Sequence, residues 1–106
     1  MKIECHCGAI IFDQTDDLPY KGHLIPDQDW FALFDAIDQD VIESLAKGRQ
    51  TTDNAFRRVR EIIQGSVRLM WQCQACGRLY IDDRDGKLQC YGPHSEETSR
   101  EILRGS

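Results

Sequence analysis

Two cysteine pairs near opposite ends of the chain restrict its fold more than any other feature. The first is Cys5-His6-Cys7-Gly8 and the second is Cys73-Gln74-Ala75-Cys76-Gly77. Each pair ends on a glycine and runs into a β-prone stretch, Ala9-Ile10-Ile11-Phe12 after the first and Arg78-Leu79-Tyr80-Ile81 after the second. Two cysteines separated by two residues wrap one ion through a tight turn, and the glycine behind them takes the positive φ that closes it. The first pair is one residue tighter. Four thiolates at one point suit an ion that takes soft ligands tetrahedrally, as Zn²⁺ does. The candidate metal ligands are therefore Cys5, Cys7, Cys73 and Cys76.

The competing reading is buried apolar cysteines or disulfides. Five cysteines leave one unpaired, and a bridge between Cys5 and Cys7 would be strained. The opening Met1-Lys2-Ile3-Glu4 has no apolar core of a secretory signal, so a cytoplasmic, reducing location is expected. Paired cysteines there more often mean metal than disulfide. His6 is read as a solvent-facing residue between two ligands, Cys90 as a small core residue in a strand, and His94 and His23 as loop residues.

These residues resemble the zinc-ribbon group of folds, in which two C-x2-C-G knuckles each top a β-hairpin and an ion joins the hairpins. The resemblance covers residues 2–13 and 67–92 and leaves out the middle of the chain. It implies a structural zinc on the four cysteines. Rubredoxins use similar knuckles for iron, so iron is the second candidate metal. Zinc ribbons serve too many functions for the fold to assign one.

The stretch between the knuckles reads as helical. Asp27 follows Pro26 as an N-cap, and a helix is expected from Gln28 to Lys47, stopped by Gly48. Trp30, Leu33, Phe34, Ile37, Val41 and Leu45 recur at three- and four-residue steps as one apolar stripe. Phe31 and Ile42 widen it, bordered by Asp35 and Asp38. Residues 50–53, Gln-Thr-Thr-Asp, cap a second helix over 54–64 with Ala55, Phe56, Val59, Ile62 and Ile63 inward. Strands are expected over 2–5, 8–13, 66–72, 78–82 and 87–91, the last two flanking the hairpin signal Asp85-Gly86. Residues 18–26 read as a loop, and 95–104 as a short C-terminal helix with acids first and Arg100 and Arg104 late. The expected architecture is a single α+β domain over 1–106. A small antiparallel ribbon sheet packs against an inserted antiparallel helix pair at 27–65, followed by the C-terminal helix.

Charge narrows the role. Residues 1–50 carry four Lys/Arg against ten Asp/Glu, and residues 51–106 carry nine against eight. An acidic half disfavours general nucleic-acid binding, which needs cations to displace phosphate counterions. It suits a basic protein partner, or a face that is simply solvated. No apolar run reaches membrane-spanning length. The catalytic motifs of α/β-hydrolases, zincins and zinc deaminases are missing, and four cysteines leave no open position on a zinc.

The leading expectation is a non-enzymatic, acidic protein-binding module with a structural zinc, for instance an immunity or inhibitor protein against a basic toxin. Phe31, Asp35, Asp38 and Ile42 are its candidate contact residues. The alternatives are a nucleic-acid-associated ribbon using Arg57, Arg60, Arg68, Arg78 and Arg84, and a rubredoxin-like iron redox protein. The aspartates at 13, 16, 17, 82, 83 and 85 form a further candidate site for a hard cation, against the ordinary preference of turns for Asp.

Overall fold

A computed structural model describes all residues, Met1–Ser106. The chain is α+β and divides into two compact units. One combines Met1–Leu24 with Arg68–Ser106, and the other is Ile25–Val67.

The first unit holds every strand. β1 (Lys2–Glu4) and β2 (Ile10–Phe12) form a two-stranded antiparallel sheet with Ile3 opposite Ile11. Both of those side chains are buried, and their neighbours along each strand face outward. β3 (Lys21–Leu24), β4 (Arg68–Gln72), β5 (Leu79–Asp82) and β6 (Leu88–Tyr91) make an antiparallel sheet in that order. Trp71 pairs with Lys21 on one side and Tyr80 on the other. Ile3, Cys5, Ile11, Trp71, Cys73 and Tyr80 form one buried cluster that joins the two sheets. The Trp71 ring nitrogen donates to Asp13 Oδ2 at 3.0 Å, and Lys21 Nζ sits 2.8 Å from the same oxygen. The Asp85-Gly86 turn closes as expected, with Asp83 Oδ1 accepting from the N–H groups of Asp85 and Lys87.

The segment expected to be a loop, 18–26, contains β3. Lys21-Gly22-His23-Leu24 has no apolar alternation, and Gly22 weakens a strand taken alone. Its glycine is instead a requirement of close packing. A Cβ at position 22 would lie 3.2 Å from Met70 Cγ and 3.3 Å from Leu103 Cδ2.

The expected helix over 95–104 does not form. Residues 92–106 contain only turns and bends, among them Thr98 N–H to Ser95 O and Arg104 N–H to Glu101 O. An isolated helix of this length is marginal in water. Here Ile102 N–H donates to Gln72 Oε1 at 3.0 Å, rather than to the Thr98 carbonyl that a helix would use. Gln72, polar and in a strand, is among the most buried side chains of the protein, 1% exposed.

The second unit holds the helices. α1 (Asp27–Ile37) runs without a break into a π-helical stretch, Asp38–Glu43, and a last turn, α2 (Ser44–Ala46). Asp27 is the first helical residue rather than the cap, because Pro26 takes the extended N-cap conformation and its carbonyl accepts from Asp29 N–H. The wide turn at 38–43 breaks the expected regular helix. Gln50 Nε2 reaches back to the carbonyls of Asp40 (2.8 Å) and Val41 (3.3 Å) within it.

α3 (Thr52–Ser66) starts at the Thr51 cap, whose hydroxyl accepts from Asn54 N–H, and runs through Gly65. Leu33, Val41, Ala55 and Ile62 form this unit's core, with Ile25, Ala36, Ile37 and Val59 packed on it. Phe56 and Ile63, expected on the buried face of α3, are exposed.

Candidate metal centre

Both knuckles are built by the same backbone device. In the first, Cys5 N–H donates to Ala9 O and Gly8 N–H to Cys5 O, both at 2.9 Å. In the second, Cys73 N–H donates to Arg78 O at 2.9 Å and Gly77 N–H to Cys73 O at 2.7 Å. Gly8 (φ 95°) and Gly77 (φ 85°) both lie in the left-handed region, where a side chain is strained. The β1–β2 turn and the β4–β5 turn are thus two tight loops that present their sulfurs toward each other.

The four sulfurs lie within 4.8 Å of one another. Cys5 Sγ is 3.5 Å from Cys76 Sγ, and Cys7 Sγ is 3.7 Å from Cys73 Sγ. A tetrahedral ion with metal–sulfur bonds of about 2.3 Å has sulfur–sulfur edges of roughly 3.8 Å, so the closest pairs already have the spacing of a bound ion. The sequence separations across these contacts are 71 and 66 residues. The donor set and its geometry fit a metal ion.

The surroundings grade the four thiols. Cys5 and Cys73 are buried, Cys76 is half-buried and Cys7 is exposed. Burial pushes the Cys73 thiol up to about 12. Burial opposes ionisation of Cys5 as well. There the Cys7 backbone N–H, the Tyr80 hydroxyl and the neighbouring thiols outweigh it and bring the thiol down to about 6. Cys76 is also lowered, because the Arg78 N–H and guanidinium overcome its desolvation. Arg78 Nη1 stands 3.3 Å from Cys76 Sγ, where a cation offsets part of the charge that four thiolates would concentrate. Tyr80 is buried and its ionisation is pushed upward, chiefly by that burial, so it stays a neutral hydroxyl beside Cys5. It also accepts the His6 N–H at 3.1 Å.

The structure brings together all four expected ligands and no others. His6 is exposed and stacks its ring on Tyr80. His23 and His94 are exposed. Cys90 is not in the cluster, and it is not a core residue either: it is exposed on β6, opposite Tyr80. The aspartates do not converge, since the four cysteines are the only group of three or more Cys, His, Asp or Glu placed to hold a metal. Asp13 instead serves Trp71 and Lys21, and Asp83 serves its own turn. Arg78 belongs to the thiolate cluster, Arg57 and Arg60 to α3, Arg68 to β4 and Arg84 to the hairpin turn. Arg78, Tyr80 and Gln72 are the site residues that spacing alone did not mark.

The helical candidates are exposed, Phe31 at 73% and Ile42 at 57%, with Asp35 and Asp38 exposed beside them. From Asp27 to Ala46 there are six acids and no Lys or Arg. No helix is long and apolar enough to cross a membrane.

No curated protein and no solved structure matches the chain. A family model does match residues 1–96, a span that includes both knuckles, both long helices and all six strands. The chain therefore belongs to the family described as a domain of unknown function, DUF8617.

Proposed function

We propose that the four cysteines hold a structural Zn²⁺ and that the protein is a non-enzymatic protein-binding module. The observation that carries this reading is the closed set of four sulfurs within 4.8 Å, contributed by two turns far apart in sequence. A zinc with four thiolate ligands has no free position for water or substrate, so its work is to hold structure. Iron would fit the same sulfurs, and the two metals differ in colour. Elemental analysis of the purified protein, with its visible spectrum, tests the metal. One colourless zinc per chain is expected. A red, iron-loaded protein refutes the zinc assignment, and a metal-free protein that remains folded refutes the site.

The partner surface in this reading is carried by Phe31 and Asp35 of α1 and by Asp38 and Ile42 of the π-helical stretch that continues it. Large exposed apolar side chains are ordinary when scattered and informative when grouped. Here Phe31 and Ile42 are exposed, as are the carboxylates Asp35 and Asp38 that lie between them in sequence, and the exposed Trp30 and Phe34 rings pair edge to face. Acids along the whole helix would speed encounter with a basic protein, and an aromatic anchor would hold it. A small immunity or inhibitor protein that neutralises a basic toxin matches that chemistry.

A further inference from the structure

Beyond β6 the chain has no helix or strand, yet it is docked on the second knuckle. Gln72 makes the tie. Its Nε2 donates to Gly77 O at 3.3 Å and to Ser99 O at 2.9 Å, while its Oε1 accepts from Ile102 N–H at 3.0 Å. The backbone bonds inside the segment, at 95–98 and 101–104, join it only to itself. Apolar contacts flank the Gln72 tie. A Cβ on Gly77 would lie 3.4 Å from Arg100 Cγ and 3.7 Å from Pro93 Cγ, and Leu103 reaches the Gly22 backbone. A cavity of about 290 Å³ lies between the segment and Cys76, lined by Cys76, Pro93, Ser95, Glu96, Thr98 and Arg100.

We propose that residues 93–103 are a strap whose docking is coupled to metal on the Cys76 knuckle, an inference that rests on the metal reading above. Gln72 precedes one ligand, Cys73, and bonds the carbonyl of Gly77, which follows another, Cys76. The amide that holds the strap is therefore oriented by the same turn that a metal holds closed. Gly77 supplies the rest, a side-chain-free surface on which Pro93 and Arg100 lie. A metal keeps both in place. The coupling is reciprocal by thermodynamic necessity: if metal favours the docked strap, the docked strap favours retained metal. Arg100 and Arg104 are already exposed; losing the metal frees the strap's backbone to extend into a protease.

The test uses the zinc-loaded protein of residues 1–106. Ile102→Pro removes the N–H that meets Gln72 Oε1 and fixes φ at that residue, whose side chain is exposed. Gln72→Ala removes the whole tie. Two rates are read, zinc transfer to an excess of chromophoric chelator, and tryptic cleavage after Arg100 with and without chelator.

Ile102→Pro should speed zinc transfer about 2- to 10-fold, the factor for losing one ordinary hydrogen bond. Gln72→Ala should speed it further. Should Gln72→Ala fail to fold, Ile102→Pro carries the test alone. In the wild type, chelator should make Arg100 cleave ahead of Arg60 in α3, while the zinc form resists there. An unchanged transfer rate in Ile102→Pro overturns the coupling, as does Arg100 cleavage equally fast with and without zinc. A wild-type protein that takes up no zinc overturns the metal reading itself and the strap with it, and the uptake measurement makes that case recognisable before any variant is compared.

Discussion

Replacing Cys76 by Ser should destabilise the protein far more than replacing Cys90 by Ser, and the structure sets the scale. Both are single sulfur-to-oxygen changes. Cys90 is exposed on β6, so its loss falls among surface substitutions, within about 0.5 kcal/mol of wild type. Cys76 is half-buried, so little of its effect comes from burial, and its Sγ lies 3.5 Å from that of Cys5, 71 residues away.

A cross-link closing a loop of that length removes chain entropy worth about 4 kcal/mol from the unfolded state, by the relation used for disulfides. Metal binding that exists only in the folded state adds to folding directly. For a domain of this size 1 kcal/mol moves the melting temperature by roughly 4–8 °C, so a drop of about 15 °C or more is expected. The assay is calorimetry of wild type, Cys76→Ser and Cys90→Ser, each with zinc and with chelator. Wild type with chelator should melt near Cys76→Ser, and chelator should scarcely move Cys76→Ser further. If chelator leaves the wild-type melt unchanged, or if the two serine variants melt together, the claim that an ion ties the two knuckles is wrong.

Asp13→Asn should cost about 1–3 kcal/mol at neutral pH, because the carboxylate takes both the Trp71 ring N–H and the Lys21 ammonium. Lys21, ahead of the other causes, holds the Asp13 carboxyl below the usual range. The stabilisation is therefore present above the unfolded value of about 3.9 and is lost as pH falls through the lower folded value, so melts of variant and wild type should converge in acid. Leu33→Ala should cost about 2–5 kcal/mol by emptying a buried position, whereas Phe31→Ala should stay within about 0.5 kcal/mol, and chemical denaturation of both distinguishes core from surface on one helix. With a partner in hand, Asp35→Lys combined with Asp38→Lys should slow association and weaken its salt dependence while the melt holds. Unchanged stopped-flow kinetics would move the interface away from the helical segment that carries Asp35 and Asp38.

The knuckles were legible in the sequence because their code is local. Two cysteines, a tight turn and a glycine at positive φ need nothing outside five residues, and Gly8 and Gly77 adopt that conformation. The helices were legible for a similar reason, since a three- and four-residue apolar step marks one face whatever it packs against. The same periodicity could not say how much of that face is covered. Leu33 and Val41 are buried while Phe31, Ile42 and Phe56 are exposed, and that difference depends on which turns of α1 and α3 meet.

Tertiary structure alone decided three things. β3 exists because Lys21–Leu24 finds a partner in Arg68–Trp71, more than 40 residues away, and because Gly22 lets Met70 and Leu103 come close. Helical character near 38–43 widens into a π turn where Gln50 reaches its carbonyls. The acid-first, base-last pattern of 95–104 asks for a helix, but its stabilisation is worth a few tenths of a kcal/mol per pair. One buried amide, Gln72, takes the Ser99 carbonyl and the Ile102 N–H and holds the segment against the knuckle as a strap. Local codes are written within a turn or two of chain and survive in the sequence. A hydrogen bond between residues 72 and 102 becomes visible only when the fold brings them together.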